Sequence, residues 1–497
     1  MSNVELTKKQ VSGWSLTMGY MGYVIMLVGI MICIPLITLI FYPEEMNNAE
    51  FFFIPGSLSI LFGYLFTLRI RKKERTKLQK NQDVIIVFLT WIVTMLLTAI
   101  PFILSGNYNI TQALFESVSG VTTTGLTIVD VETAPRIFLI YRSTLLFFGG
   151  VGLILIMTSF LSNVYGMQIY NAEGHPDKLM PNLIKSARLI FMIYAGYIVA
   201  GVILYIIFGM TPFDAINHAI AAVSTGGFST RAQSIGYYNS FSIELVSILL
   251  MILGSINFLI HLRLLNGKWR DAVHHCETKF SIFLLVVFTV VFGVILVNGV
   301  YSTLPEALRA GLFQVVSAMT TTGFQTIPTF KIFPASLLLF MAILMTIGGQ
   351  SGSTSGAIKQ YRIIVILKQI YWHIRNQLSS NREVRVNHVE RFGTYEIIDQ
   401  KVKQEVNIFV IIYVAFLLLG TTVFTLFGFS LQDSLFEFSS ALANAGISIG
   451  INHYNAHPGI LWTSIIGMIF GRLEIYIVIL TLIRAFMNVK NKLTNSR

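Results

Sequence analysis

The chain has 497 residues, of which 54% are hydrophobic and 12% charged, and its net charge is +11. Soluble globular domains carry about 25% charged residues, so this composition, with a mean hydropathy of +0.70, excludes an ordinary soluble protein. The positive balance does not indicate nucleic acid, because the basic residues sit in short segments between apolar runs, as the positive-inside bias of membrane proteins predicts.

The first 16 residues are polar, and the apolar run after them is too long for a signal-peptide core. It reads as an uncleaved span over roughly 17–42, followed by a second over 51–70. The basic cluster Arg71-Lys72-Lys73, Arg75, Lys77 and Lys80 then belongs in the cytoplasm, together with the N-terminus and its Lys8 and Lys9. Glu44-Glu45 falls outside. Cys33 lies in an apolar run and Cys276 in a polar loop, so no disulfide framework is expected.

From residue 83 the chain repeats a unit of about 100 residues. A long apolar run (83–105) leads to a short apolar stretch (111–121), a small-residue cluster and another long run (136–161). The series returns as 189–209, 213–223 and 240–264, as 280–299, 304–319 and 335–366, and as 406–428, 432–443 and 459–486. A span needs ~20 apolar residues, so the short stretches are re-entrant half-helices. Irregular backbone at membrane depth is tolerated only in protein or around a watery cavity, so four such segments imply one shared cavity. The expected architecture is all-α, with four parallel span–half-helix–loop–span repeats around a pseudo-fourfold pore. The expected divisions are 1–80 (two extra spans), 81–180, 181–275, 276–403 and 404–497. The third repeat carries a cytoplasmic connector at 367–403.

The four clusters align on a glycine. They are Thr122-Thr123-Thr124-Gly125, Ser224-Thr225-Gly226-Gly227, Thr320-Thr321-Thr322-Gly323 and Ala443-Asn444-Ala445-Gly446. Nine positions before each glycine stands a polar residue: Glu116, His218, Gln314 or Glu437. A dehydrated potassium ion needs oxygens in place of water, and backbone carbonyls can supply them. Glycine tolerates φ > 0, which lets a carbonyl turn inward. Threonine and serine hydroxyls can add oxygens or brace the loop. The negative ends of the half-helix dipoles favour a cation. Glu116 and Glu437 read as shaping the loops or attracting cations.

The second long run of repeat three is interrupted by Gly348-Gly349-Gln350-Ser351-Gly352-Ser353-Thr354-Ser355-Gly356, with Lys359 close behind. Four glycines in nine residues disfavour continuous helix. The segment is either a kinked, tightly packed helix or a loop that can block a pore. In the last run, Gly471-Arg472-Leu473-Glu474 puts two charges in apolar surroundings. They form a structural ion pair, snorkel to the interface, or act in function. Phe148-Gly149-Gly150-Val151-Gly152 reads as close helix packing, and Asn257-Phe258 with His261 as structural. His274-His275-Cys276 has no second ligand pair nearby and reads as a solvated loop. No P-loop occurs, so no ATP site is expected. No NAD site is expected either, and without paired acids or a metal cluster at the membrane face the chain is not expected to be an enzyme.

The repeated span–half-helix–loop–span unit, with one glycine per loop, resembles the Trk/Ktr/HKT superfamily of potassium transporters over nearly the whole chain. The two extra N-terminal spans resemble its TrkH-type membrane subunits. The resemblance implies potassium uptake across the cell membrane, with the ion bound in a filter of residues 122–125, 224–227, 320–323 and 443–446. Glycine at all four positions implies potassium selectivity; a sodium-permeable or H+- or Na+-coupled symporter of the same build is the alternative. Residues 348–356 resemble the family's intramembrane gating loop, and Arg472 its arginine beneath the filter. Further implications are a homodimer, a cytoplasmic nucleotide-binding regulatory ring docking on 367–403 and the C-terminal tail, contact with membrane lipid, and cytoplasmic termini in a bacterial plasma membrane.

Overall fold

The computed structural model describes residues 14–71, 82–152, 183–297, 299–378 and 386–473, with Ile475, Val478 and Ile483 beyond them. Lys8, Lys9, Glu474, the C-terminal tail and most of the 71–80 basic cluster lie outside the described residues, as do 153–161 of the first repeat's second run.

Two helices come first, α1 (Trp14–Cys33) and α2 (Glu50–Arg71), joined by 3-10 turns over Ile34–Ile40 and Pro43–Asn48. Each repeat then opens with a long outer helix: α3 (Gln82–Leu104), α6 (Leu183–Ile207), α11 (Cys276–Val297) and α15 (Gln400–Leu426). All six are long and apolar enough to cross a membrane. Each outer helix leads to a half-helix: α4 (Ile110–Val121), α7 (Pro212–Val223), α12 (Leu304–Met319) or α16 (Leu431–Ala443). A small polar residue precedes every half-helix: Asn109, Thr211, Thr303 or Ser430. Such residues occupy the N-cap because their side chains can accept orphan backbone N–H groups. Asn109 and Gln112 exchange both bonds of a capping box.

The inner helices depart from the expected continuous runs. They are α5 (Arg136–Val151), α8 (Phe241–Ser255), α13 (Ala335–Ile347) and α17 (Pro458–Arg472), and each stops 24 to 28 residues after its repeat's aligned glycine. In repeat two the run expected over 240–264 is two helices, α8 and α9 (Phe258–Leu265), meeting at 106°. The third repeat is therefore not alone in having a broken inner helix. The cause is Asn257: its side chain caps α9 by accepting the Leu259 N–H at 2.8 Å, and Ile256 is extended. In repeat three, α13 ends at Ile347 and α14 begins at Gln360, so 348–359 is loop (α14, Gln360–Gln377).

A short helix α10 (Trp269–Val273) precedes α11, and the connector holds an antiparallel hairpin, β1 (His388–Arg391) with β2 (Thr394–Ile397), which an all-α reading missed. Val389 and Ile398 bury against Ile364, Val365, Trp372 and Val406. The N-terminal pair packs on repeat one in a single apolar cluster. Glu45 completes that union: its carboxylate accepts the N–H groups of Arg136 and Ile137, at 2.8 and 2.9 Å, where Pro135 provides α5 with no side-chain cap.

Candidate functional site: a ring of four loops above a folded segment

The four half-helices end alike. The residue two before each aligned glycine is left-handed: Thr123 (φ +56), Thr225 (+51), Thr321 (+54) and Asn444 (+55). The next N–H donates back to the carbonyl five residues earlier, at 2.9 to 3.0 Å. This helix ending ordinarily takes glycine at the left-handed position. A β-branched residue there is strained by roughly 1–2 kcal/mol. Strain of this kind clusters at functional sites.

The glycines also have positive φ: Gly125 (+89), Gly227 (+65), Gly323 (+92) and Gly446 (+78). A Cβ on Gly125 would overlap the Gly226 carbonyl oxygen, and one on Gly227 the Thr322 oxygen. One on Gly323 would meet the Ala445 oxygen, and one on Gly446 the Thr124 oxygen. Each glycine thus faces the residue before the next repeat's glycine, and the fourth returns to the first. The four loops close a ring in chain order. The glycines are half-buried while the three residues before each are buried. All four glycines line one vestibule of about 420 Å³.

The polar residue nine positions earlier braces the far limb of each loop. Glu116 accepts from Thr127 Oγ1 at 2.9 Å, Ile128 N at 3.1 Å and Arg142 Nε at 2.6 Å, with both ionic side chains buried. Glu437 accepts from Ser448 Oγ at 2.7 Å, Ile449 N at 2.9 Å and Asn452 Nδ2 at 2.8 Å. His218 meets Ser229 Oγ at 2.9 Å, and Gln314 donates to Thr326 Oγ1 at 3.2 Å. These groups shape the loops, and only Gln314 leaves a buried atom, Oε1, without a partner among the described residues. The threonine hydroxyls also brace: Thr122 pairs with Thr124, and Thr320 with Thr322, each at 2.7 Å.

Beneath the ring, the expected gate residues form one folded segment. Thr354 Oγ1 is 3.0 Å from Thr225 Oγ1 and donates to the Gly254 carbonyl at 2.9 Å. Ser355 Oγ donates to the Thr320 carbonyl at 2.8 Å, and the Gly356 N–H to Thr321 Oγ1 at 3.0 Å. Gly356 also abuts the Ala443 carbonyl. The segment's tip therefore presses on the bases of loops two, three and four. Two cations hold it: Lys359 Nζ donates to the Ser355 carbonyl, and Arg472 to Thr354 O at 2.8 Å and to the Gly149 carbonyl. The rest is anchored elsewhere. Gln350 N donates to Ser255 O at 3.0 Å, Asn257 Nδ2 to Ser351 O at 2.5 Å, and Phe258 N to Gly352 O at 3.1 Å. Ser353 Oγ donates to the Gln350 carbonyl at 2.6 Å, and Gln360 Nε2 to the Gly348 carbonyl at 3.1 Å. The Gly349 carbonyl accepts the Gln360 N–H at 3.0 Å.

The structural reading of the remaining motifs stands on contacts. Gly149, Gly254 and Gly471 each approach the carbonyl four residues before an aligned glycine so closely that a Cβ would not fit. His261 meets Tyr197 OH at 2.8 Å and the Leu253 carbonyl at 3.0 Å. His275 is a correction: it is buried, not solvated, and its Nε2 lies 2.9 Å from Glu277 Oε2. No cluster of metal-ligand type occurs among the described residues. Sequence reasoning missed Glu277 altogether. Its signal was an acidic residue opening an apolar helix, which reads equally as a dipole cap.

A bundle of apolar helices with four re-entrant half-helices ringed about one opening defines a multi-pass membrane protein of the ion-transport class. The TrkH family, described as cation transport proteins, matches residues 48–490. The chain is 33% identical over 430 residues to the Trk system potassium uptake protein TrkH of Escherichia coli, covering 82% of this chain and 86% of that one. It is 31% identical over 480 residues to an uncharacterized cation transporter of Methanocaldococcus jannaschii, covering 96% of each. The crystal structure of the potassium transporter TrkH from Vibrio parahaemolyticus superposes with a TM-score of 0.82 at 26% identity, over 95% of this chain and 99% of that one. The chain belongs to the TrkH family of cation transport proteins.

Proposed function

We propose that this chain is the membrane subunit of a potassium-uptake system. Potassium passes through the ring of residues 122–125, 224–227, 320–323 and 443–446 and binds there. The single observation that carries this reading is the head-to-tail ring of four positive-φ glycines opening on one vestibule. Four loops converging on one opening, each at the C-terminal end of a half-helix dipole, favour a cation, and exposed backbone oxygens can replace its water. The match to relatives named potassium uptake proteins supports potassium as the cargo.

In this reading residues 348–359 are the gate. The segment sits under the bases of three loops, and its glycines and serines supply the freedom to move away. Arg472 and Lys359 hold its carbonyls and place positive charge in the ion's path. The basic links put the gate side in the cytoplasm, with both termini. The chain forms a homodimer in a bacterial plasma membrane, and a cytoplasmic nucleotide-binding ring regulates it through the connector 367–403 and the C-terminal tail.

The test is rubidium uptake by purified protein in proteoliposomes. Potassium should compete with rubidium and sodium should not, and removal of residues 350–355 should raise basal flux about tenfold or more. Equal competition by sodium would favour the sodium-permeable alternative, and uphill uptake driven only by a proton gradient would favour the symporter.

A further inference from the structure

The segment beneath the ring is tied near both ends to one carboxylate. Glu277, in the first turn of α11, is fully buried. Its Oε1 accepts the Ser351 N–H at 2.8 Å and the Tyr361 N–H at 3.1 Å. Ser351 lies early in the segment, and Tyr361 just past its end. One oxygen therefore pins both feet. The other oxygen faces His275 Nε2 at 2.9 Å, and His275 is also fully buried. On the far side, the His275 ring stacks on Phe392, with centroids 4.5 Å apart and planes 19° from parallel.

Phe392 sits in the turn of the β1–β2 hairpin with φ +50. A bulky side chain is uncommon in that backbone region, so surrounding contacts hold it there. The hairpin is itself fastened to α11 by Lys279 and Glu390, 2.8 Å apart. That ammonium keeps the Glu390 carboxyl below its usual range. The contacts thus run without a gap from hairpin turn to imidazole, to carboxylate, to both feet of the segment. Hydrogen bonds to a carboxylate are strong while water is excluded, and the Phe392 ring covers one side of the pair.

We infer that Glu277 is the positioning residue that holds the gating segment shut, and that His275 and Phe392 couple it to the hairpin, so that moving the hairpin loosens the gate. The inference rests on reading residues 348–359 as the gate.

The test is a double-mutant cycle on the full chain in proteoliposomes, using Glu277→Gln, Phe392→Ala and both together. Each single substitution should raise basal rubidium flux about tenfold, the difference between a charge-assisted hydrogen bond shielded from water and a neutral or water-exposed one. The double variant should do no more than either single. Hydrogen exchange of the 348–361 amides should quicken in Phe392→Ala by a similar factor. If Glu277→Gln does not elute as folded protein, His275→Gln takes its place with the same expectation. Multiplying effects, or exchange unchanged in Phe392→Ala, would overturn the coupling. If deleting residues 350–355 opens the pore and the substitutions do not, this proposal alone falls. If the deletion has no effect either, the gate reading fails and takes the proposal with it.

Discussion

Loops one and three are near copies and stand opposite each other across the ring, and loops two and four differ from both. Loops one and three carry Thr-Thr-Thr-Gly, with a hydroxyl pair inside each. In both, a half-helix serine also clasps the carbonyl after the glycine: Ser119 to Leu126 at 2.5 Å and Ser317 to Phe324 at 2.6 Å. Loops two and four lack both devices and lean on neighbours. Thr225 meets Thr354 of the 348–359 segment, and Asn444 donates to Thr124 Oγ1 and to the Met468 carbonyl, both at 2.9 Å. The same backbone path thus has internal clasps on one diagonal that the other lacks, although loop three also takes two bonds from the 348–359 segment and loop one takes one from Asn444.

The difference can be tested by substitution, beginning at the glycines. Because each glycine presses on the next loop, Gly227 and Gly446 abut the self-braced loops three and one. Gly446→Ser should therefore abolish potassium-over-sodium discrimination in rubidium competition. Gly125→Ser presses on the more compliant Gly226 and should lower discrimination only about tenfold. Equal losses would mean that the two diagonals are equally stiff. Asn444→Ala removes two bonds, leaves a left-handed residue without its local support and should destabilise by about 2–3 kcal/mol. Asn444→Gly keeps the conformation and should lose about 1 kcal/mol less, read as thermal unfolding in detergent. The smallest effects separate two of the three serines that stand six positions before an aligned glycine. Ser317→Ala should cost about 1 kcal/mol. Ser440, whose hydroxyl has no partner among the described residues, should be replaceable by alanine with a change within about 0.5 kcal/mol.

Much of this ring was legible in the sequence, because glycine and the polar residue nine positions earlier keep fixed register in all four repeats. The half-helix ends fell within about one residue of their observed places for the same reason: small polar caps start them and the clusters stop them. The inner helices were less legible. Hydropathy runs straight through Ile256 and Asn257, and only the capping chemistry of Asn257 marks the 106° bend. Local pattern also could not show that Thr123, Thr225 and Thr321 are left-handed, since threonine's own preference opposes it and the ring imposes it. His275 read as solvated because its cover, Phe392, comes 117 positions later in the chain, and no local pattern reports such a partner.

The contact order of the glycines has a mechanical consequence. A row of four loops would have two ends at which a displacement could dissipate into lipid or solvent. A hoop has none: a push at Gly125 passes through Gly226 and Gly227 to Thr322, and by way of Ala445 and Gly446 arrives back at Thr124. The aperture has no loop that is free of its neighbours on both sides. Its width is a collective variable of four unlike quarters, each encoded separately, so evolution can tune that one number through any of them.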